Sequence, residues 1–123
     1  DQVKSHYLKG ALFENLIIAD IVKQYANLGK KPQIYFWQNK TKHEIDLLIE
    51  HSGKLNAFEI KSGMTKQQSF FTNLNYWKKL QAQSHNTFNV IYGGNENFQT
   101  EDGQFISWKN CQNIFDIIDK SAL

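Results

Sequence analysis

Asp46, Glu59 and Lys61 are the residues of this chain whose types and spacing point to chemistry. The runs Glu44–Glu50 and Leu55–Lys61 each alternate with a period of two. His51-Ser52-Gly53-Lys54 lies between them, which is the signal of a β-hairpin. A turn centred between Ser52 and Gly53 pairs residues whose numbers sum to 105, so Asp46 falls opposite Glu59 and Glu44 opposite Lys61. On the other face Ile45, Leu47, Ile49, Phe58 and Ile60 are expected to enter the core together. Cross-strand carboxylates with Cβ atoms about 5 Å apart repel unless a cation or a proton lies between them. A hard divalent ion resolves that conflict. Mg²⁺ or Mn²⁺ takes one or two carboxylates plus water and phosphate oxygens, and Asp46 and Glu59, joined by the Ile60 backbone carbonyl, supply such a set. Lys61 projects to the same face, where it can hold or deprotonate an attacking water or neutralise a phosphoryl transition state.

Glu14 is the fourth candidate. Helical geometry puts it on one mostly apolar stripe with Tyr7, Gly10, Ile17, Ile18, Ile21 and Tyr25, and an acid on such a stripe needs a partner. A second ion, an ion's water or Lys61 would each serve.

These residues need elements to position them. The spacing predicts a long helix from about Ser5 to Leu28, closed by Gly29 and stopped by Pro32, then a first strand over Gln33–Gln38 and the hairpin strands. Thr65 and Gln68 read as a capping box for a second helix that carries Phe70, Phe71, Leu74, Trp77 and Leu80 to about Gln83. Phe88–Tyr92 and Gln104–Trp108 read as strands and Asn110–Asp119 as a closing helix. The expected fold is one α/β domain over residues 1–123, a mixed sheet flanked by helices in the order helix, three strands with a central hairpin, helix, strand, strand, helix.

Composition agrees with a single globular domain: 123 residues, 41% hydrophobic, with no apolar run long enough to span a bilayer and no signal segment. The abrupt start without Met reads as a piece cut from something longer. A lone Cys111 and four scattered His residues offer neither an internal disulfide nor zinc spacing, and point to the reducing cytoplasm. The net charge of +2 demands no polyanion, and all 14 basic residues are Lys, so phosphate contacts would use point charges and backbone amides.

Simpler readings stand beside the chemical ones. Lys61 can pair with Glu44 across the hairpin for a few tenths of a kcal/mol. Tyr35-Phe36-Trp37 can stack bases beside Lys30, Lys31, Lys40 and Lys42, but such a run more often forms a core strand with its lysines as a solvated rim. His43 and His51 read as solvent-facing turn residues, Cys111 as a packing residue and Gly93-Gly94 as a loop.

An Asp followed 13 residues later by Glu-Ile-Lys on a hairpin, with an acid on a preceding helix, resembles the PD-(D/E)XK nuclease superfamily. Gly10-Ala11-Leu12-Phe13-Glu14-Asn15, Tyr35-Phe36-Trp37, Glu44-Ile45-Asp46-Leu47-Leu48-Ile49 and Phe58-Glu59-Ile60-Lys61-Ser62 are similar to the nuclease-like domain of unknown function at the C-terminal end of bacterial and archaeal AAA-type ATPases. The similarity runs from about Ser5 to Leu80. It implies a restriction-endonuclease-like core in which Asp46 and Glu59 bind Mg²⁺ or Mn²⁺, Lys61 assists the attacking water and Glu14 supports the site. It also implies nucleic acid as partner, DNA before RNA, and upstream ATPase and winged-helix modules, with an oligomer within reach. No Gly-rich phosphate loop ending in Lys-Ser or Lys-Thr occurs, so nucleotide hydrolysis is not expected of this segment. Where similar sequences carry Arg after the Trp and Gly in the following turn, this one has Gln38 and Lys42-His43, and no Pro precedes Asp46. The competing expectation is a catalytically silent DNA- or protein-binding module, with the same acids and Lys61 acting as a buried polar network.

Overall fold

The computed structural model describes residues 2–80 and 86–121. Helix α1 (Gln2–Asn27) precedes strands β1 (Ile34–Gln38), β2 (Glu44–His51) and β3 (Lys54–Lys61). A 3₁₀ turn over Gln68–Phe71 leads into α2 (Thr72–Leu80), followed by β4 (Thr87–Tyr92), β5 (Phe98–Gln99), β6 (Gln104–Ser107), a 3₁₀ segment over Trp108–Asn113 and α3 (Ile114–Ser121). The strands form one mixed sheet in the order β1-β2-β3-β4-β6-β5. The pairs β3–β4 and β4–β6 are parallel and the others antiparallel. The expected α/β class and element order hold, with the two-residue β5 as an addition.

Helix α1 ends as the sequence requires. Gly29 takes φ +67°, and the Gly29 and Lys30 amides donate to the Ala26 and Tyr25 carbonyls, closing the last turn. Ile17, Ile21 and Tyr25 of α1 cover one face of the sheet with Ile114 and Ile118 of α3, over Leu47, Ile49, Phe58, Ile60, Ile91 and Ile106. Phe71, Leu74 and Trp77 cover the other face, over Ile45, Leu48, Ala57, Val90 and Phe105. Burial on both faces is what a sheet with parallel central strands needs, and it explains the near-continuous apolar run of β4.

Several expectations are corrected. The hairpin does not have one apolar and one charged face, because helices cover both. Ile45 does not share a face with Leu47 and Ile49 but joins Leu48 and Ala57 on the α2 side. Tyr7, placed on the packing stripe, is 75% exposed, and Leu8, Leu12 and Leu16 are exposed beside it. The α1 residues that pack on the core are Phe13, Ile17, Ile18, Ile21 and Tyr25, so the packing stripe begins at Phe13 rather than at Tyr7. Thr65 caps nothing: Gln67 stands at the start of the 3₁₀ turn, with no side-chain cap bond. Leu80 is exposed, and residues 81–83 of the expected second helix lie outside the described residues. No described helix is long and apolar enough to cross a membrane.

A row of buried amides ties four strands together. Gln104 Nε2 donates to Asn89 Oδ1 (2.7 Å), Asn89 Nδ2 to Thr87 Oγ1 and the Ala57 carbonyl, Thr87 Oγ1 to Asn56 Oδ1 (2.6 Å), and Asn56 Nδ2 to the Ile49 carbonyl. Asn56 and Asn89 are fully buried. Removing the central member leaves its partners unsatisfied in a low dielectric. Asn89→Ala is expected to lower stability by about 2–3 kcal/mol, read as a fall in urea midpoint at unchanged slope. A change within a few tenths of a kcal/mol would contradict this.

Candidate active site

The hairpin register is the expected one from His51↔Lys54 to Leu47↔Phe58, every pair summing to 105. Ser52 (φ +55°) and Gly53 (φ +74°) make the two-residue turn that sets it. At Asp46 the regularity breaks. On the β1 side Tyr35 pairs with Leu48 and Trp37 with Ile45, so the single residue Phe36 faces two, Asp46 and Leu47. That is a β-bulge, a device that re-aims a side chain. It moves Ile45 to the other core and turns the Asp46 carboxylate onto β3, where Oδ2 accepts from the Ile60 amide at 2.8 Å. At Ile60 it is thus the amide that meets Asp46. The β2–β3 partners end at Leu47↔Phe58, so neither expected cross-hairpin pair beyond it, Asp46 opposite Glu59 or Glu44 opposite Lys61, is a register pair, and the ion pair of Lys61 is with Glu59.

Glu59 is 1% exposed. Its Oε1 is buried without a hydrogen-bond partner, and its Oε2 lies 3.6 Å from Lys61 Nζ, which reaches solvent. Burial first, and the nearby Asp46 charge second, push the Glu59 carboxyl up to about 9, against a smaller opposing pull from Lys61. Glu14, half-buried on α1, is raised in the same direction by burial, then by Asp46 and Glu44, while Lys61 lowers it. Asp46, Glu59 and Lys61 therefore come together, with Glu14 as a charged neighbour. Glu14, Glu44 and Asp46 line a cavity of about 320 Å³ with Phe36, Trp37, Gln38 and Ile45. A larger cavity, about 420 Å³, lies between α1 and residues 108–112 and is walled mainly by apolar groups such as Phe13, Leu16, Ile17 and Trp108. The smaller one is the one lined by carboxylates, those of Glu14, Glu44 and Asp46, while Glu59 and Lys61 lie outside its lining.

Two buried-side carboxylates, one with an orphaned oxygen, are the hard oxygen donors a divalent ion takes, so the residues fit such an ion. Among the described residues no three His, Cys, Asp or Glu side chains gather closely enough to share one, which leaves two protein carboxylates for it.

The end of β3 is held from behind by the Gly93-Gly94 pair. The Gly93 amide donates to the Gly63 carbonyl (2.9 Å), and a Cβ on Gly93 would stand 2.3 Å from the Ser62 carbonyl oxygen, one residue past Lys61. The expected loop is thus a close backbone approach behind Lys61. Gly93→Ala is expected to displace residues 61–63 and lower any activity of the site at least tenfold while the protein stays folded, checked by circular dichroism beside the activity assay; unchanged activity would contradict it.

Both turn histidines are engaged rather than simply solvent-facing. The His43 ring stacks on Tyr76 at 3.7 Å and its Nδ1 lies 3.1 Å from Thr41 Oγ1, while His51 Nε2 lies 2.8 Å from Asp119 Oδ1. Cys111 packs in the core, its thiol pushed up to about 12 by burial. Lys42 adopts φ +66°, the left-handed conformation glycine takes without strain. Tyr35 and Phe36, expected more often in the core, are 45% and 67% exposed, because β1 is the outermost strand.

Fold and site together define a mixed α/β domain with a carboxylate pair and a lysine at a bulged hairpin. The chain belongs to the family described as Domain of unknown function (DUF4143), whose match covers residues 9–111. No match is found among the curated proteins or the solved structures.

Proposed function

We propose that this domain is a metal-dependent nuclease of PD-(D/E)XK type, hydrolysing phosphodiester bonds of nucleic acid, DNA before RNA, as the C-terminal part of an AAA-type ATPase. The observation that carries the reading is the Glu59 carboxylate, buried beside Asp46 with Oε1 bonded to nothing. An acid kept there against such a penalty is explained by a ligand that supplies positive charge. Asp46 and Glu59 would hold Mg²⁺ or Mn²⁺, with the Ile60 carbonyl as a further oxygen donor. The ion would supply charge neutralisation at the phosphoryl group and acidify water. Asp46 is oriented by the Ile60 amide. Lys61, within 3.6 Å of Glu59 and open to solvent, holds the attacking water and takes or stabilises its charge. Glu14, within electrostatic reach of Asp46 and Lys61, would position water or substrate.

The test is a panel of single-stranded, double-stranded and branched DNA and RNA incubated in Mn²⁺, Mg²⁺ or EDTA, with Asp46→Ala as the contamination control. Cleavage lost both in EDTA and in the variant is expected; cleavage equal in wild type and variant, or none at all, would contradict the reading. The specific observation favouring a second reading is that, among the described residues, no three His, Cys, Asp or Glu side chains gather closely enough to share an ion. A catalytically silent DNA- or protein-binding module on this fold would use Asp46 and Glu59, the Glu59 carboxyl protonated, as a polar network between β2 and β3.

A further inference from the structure

We propose that the outer edge of β1 is a track for single-stranded nucleic acid, in which the Phe36 ring stacks a base beside Asp46; treating that strand as substrate rests on the nuclease reading above. Phe36 is 67% exposed and Tyr35 45% in the middle of an outermost strand. Large exposed aromatics at a sheet edge invite aggregation unless something covers them. Register places Phe36 directly across the bulge from Asp46 and Leu47, and Phe36 and Asp46 line the same 320 Å³ cavity. A base on that ring therefore lies beside the carboxylates rather than at a remote surface.

Charge selects the occupant. Lys30 and Lys31 precede β1, Lys40 and Lys42 follow it, and all four are exposed. A second copy pairing antiparallel about Phe36 would set Lys30 against Lys42, a repulsive juxtaposition. A polyanion running along the edge meets lysines at both ends. In the metal-free protein Glu14, Glu44 and Asp46 in the cavity repel phosphate, so the neutral base enters there and the backbone keeps to the lysine rim; an ion on Asp46 and Glu59 would remove that repulsion and admit the phosphate to be cut. The ring must meet the face of a base, which a duplex covers by stacking and a single strand leaves free.

The experiment measures binding of a labelled oligothymidylate to the full chain by fluorescence anisotropy in EDTA, where cleavage is off. It is compared with an abasic strand of equal length and with a duplex. Phe36→Ala is expected to weaken oligothymidylate binding roughly five- to a hundredfold, Phe36→Trp to restore it, and the abasic strand to bind wild type as weakly as the intact strand binds Phe36→Ala. Lys40→Glu should weaken intact and abasic strands alike. Equal affinity of wild type and Phe36→Ala, equal affinity for intact and abasic strands, or a preference for duplex would each overturn the proposal. Mn²⁺-dependent cleavage of the same oligonucleotide separates the two readings. Cleavage with binding indifferent to Phe36 overturns the track alone, and Phe36-dependent binding without cleavage overturns the nuclease reading alone.

Discussion

Metal-free protein carrying Glu59→Gln is expected to be more stable than the parent by about 3 kcal/mol at pH 7, with the gap widening as pH rises. An unfolded Glu loses its proton near its ordinary 4.5, whereas the folded Glu59 carboxyl keeps it to about 9, chiefly because it is buried and secondly because Asp46 faces it. Between those values unfolding releases a proton, so raising the pH favours the unfolded chain. The parent's stability contribution from Glu59 is complete below about 4.5, is lost at about 1.4 kcal/mol per pH unit through the interval, and levels off above about 9. Gln has nearly the same shape and no proton to lose. Urea unfolding of parent and variant across this range measures the difference, and parallel stability curves would contradict it.

Asp46→Ala is expected to lower cleavage by a thousandfold or more, about 4 kcal/mol of transition-state stabilisation, without unfolding the domain. Losing the acceptor for the Ile60 amide costs stability, while removing one of two facing carboxylates relieves repulsion on Glu59, so the net effect on stability is small beside that on rate. Steady-state cleavage beside a thermal melt separates the two quantities. A variant that cuts at the parental rate would remove Asp46 from the chemistry, and one that loses rate only in proportion to lost fold would give it a structural role.

The parts of this fold legible in the sequence are those set by local chemistry. Ser52 and Gly53 tolerate positive φ, so the hairpin turn and with it the register from His51↔Lys54 to Leu47↔Phe58 follow from alternation alone. That register brought Asp46, Glu59 and Lys61 together on paper. The bulge was not legible: Ile45, Leu47, Leu48 and Ile49 are all apolar and both faces of the sheet are covered, so the pattern does not report on which face Ile45 lies or where the alternation slips by one. Edge and centre are equally silent in composition, which is why Tyr35-Phe36 read as core and proved exposed. A two-residue β5 lies below what periodicity detects. Thr65 and Gln68 matched a capping pattern, yet the chain enters α2 through a 3₁₀ turn that buries Phe71 edge-on against Phe105, a tertiary contact the local pattern does not carry. The close approach of Gly93 to Ser62 is tertiary, and its one sequence trace is a Gly-Gly pair at a strand's end.

The most direct test of the Asp46–Glu59 site is a calorimetric titration of the metal-free chain with Mn²⁺ near pH 8, run in two buffers of different ionisation enthalpy. A divalent ion between these carboxylates must displace the proton that Glu59 holds up to about 9, so binding is expected to release close to one proton per ion, to raise the melting temperature, and to vanish in Glu59→Gln. No binding heat at millimolar Mn²⁺, or binding that releases no proton and survives in Glu59→Gln, would contradict the assignment of this pair as a metal site.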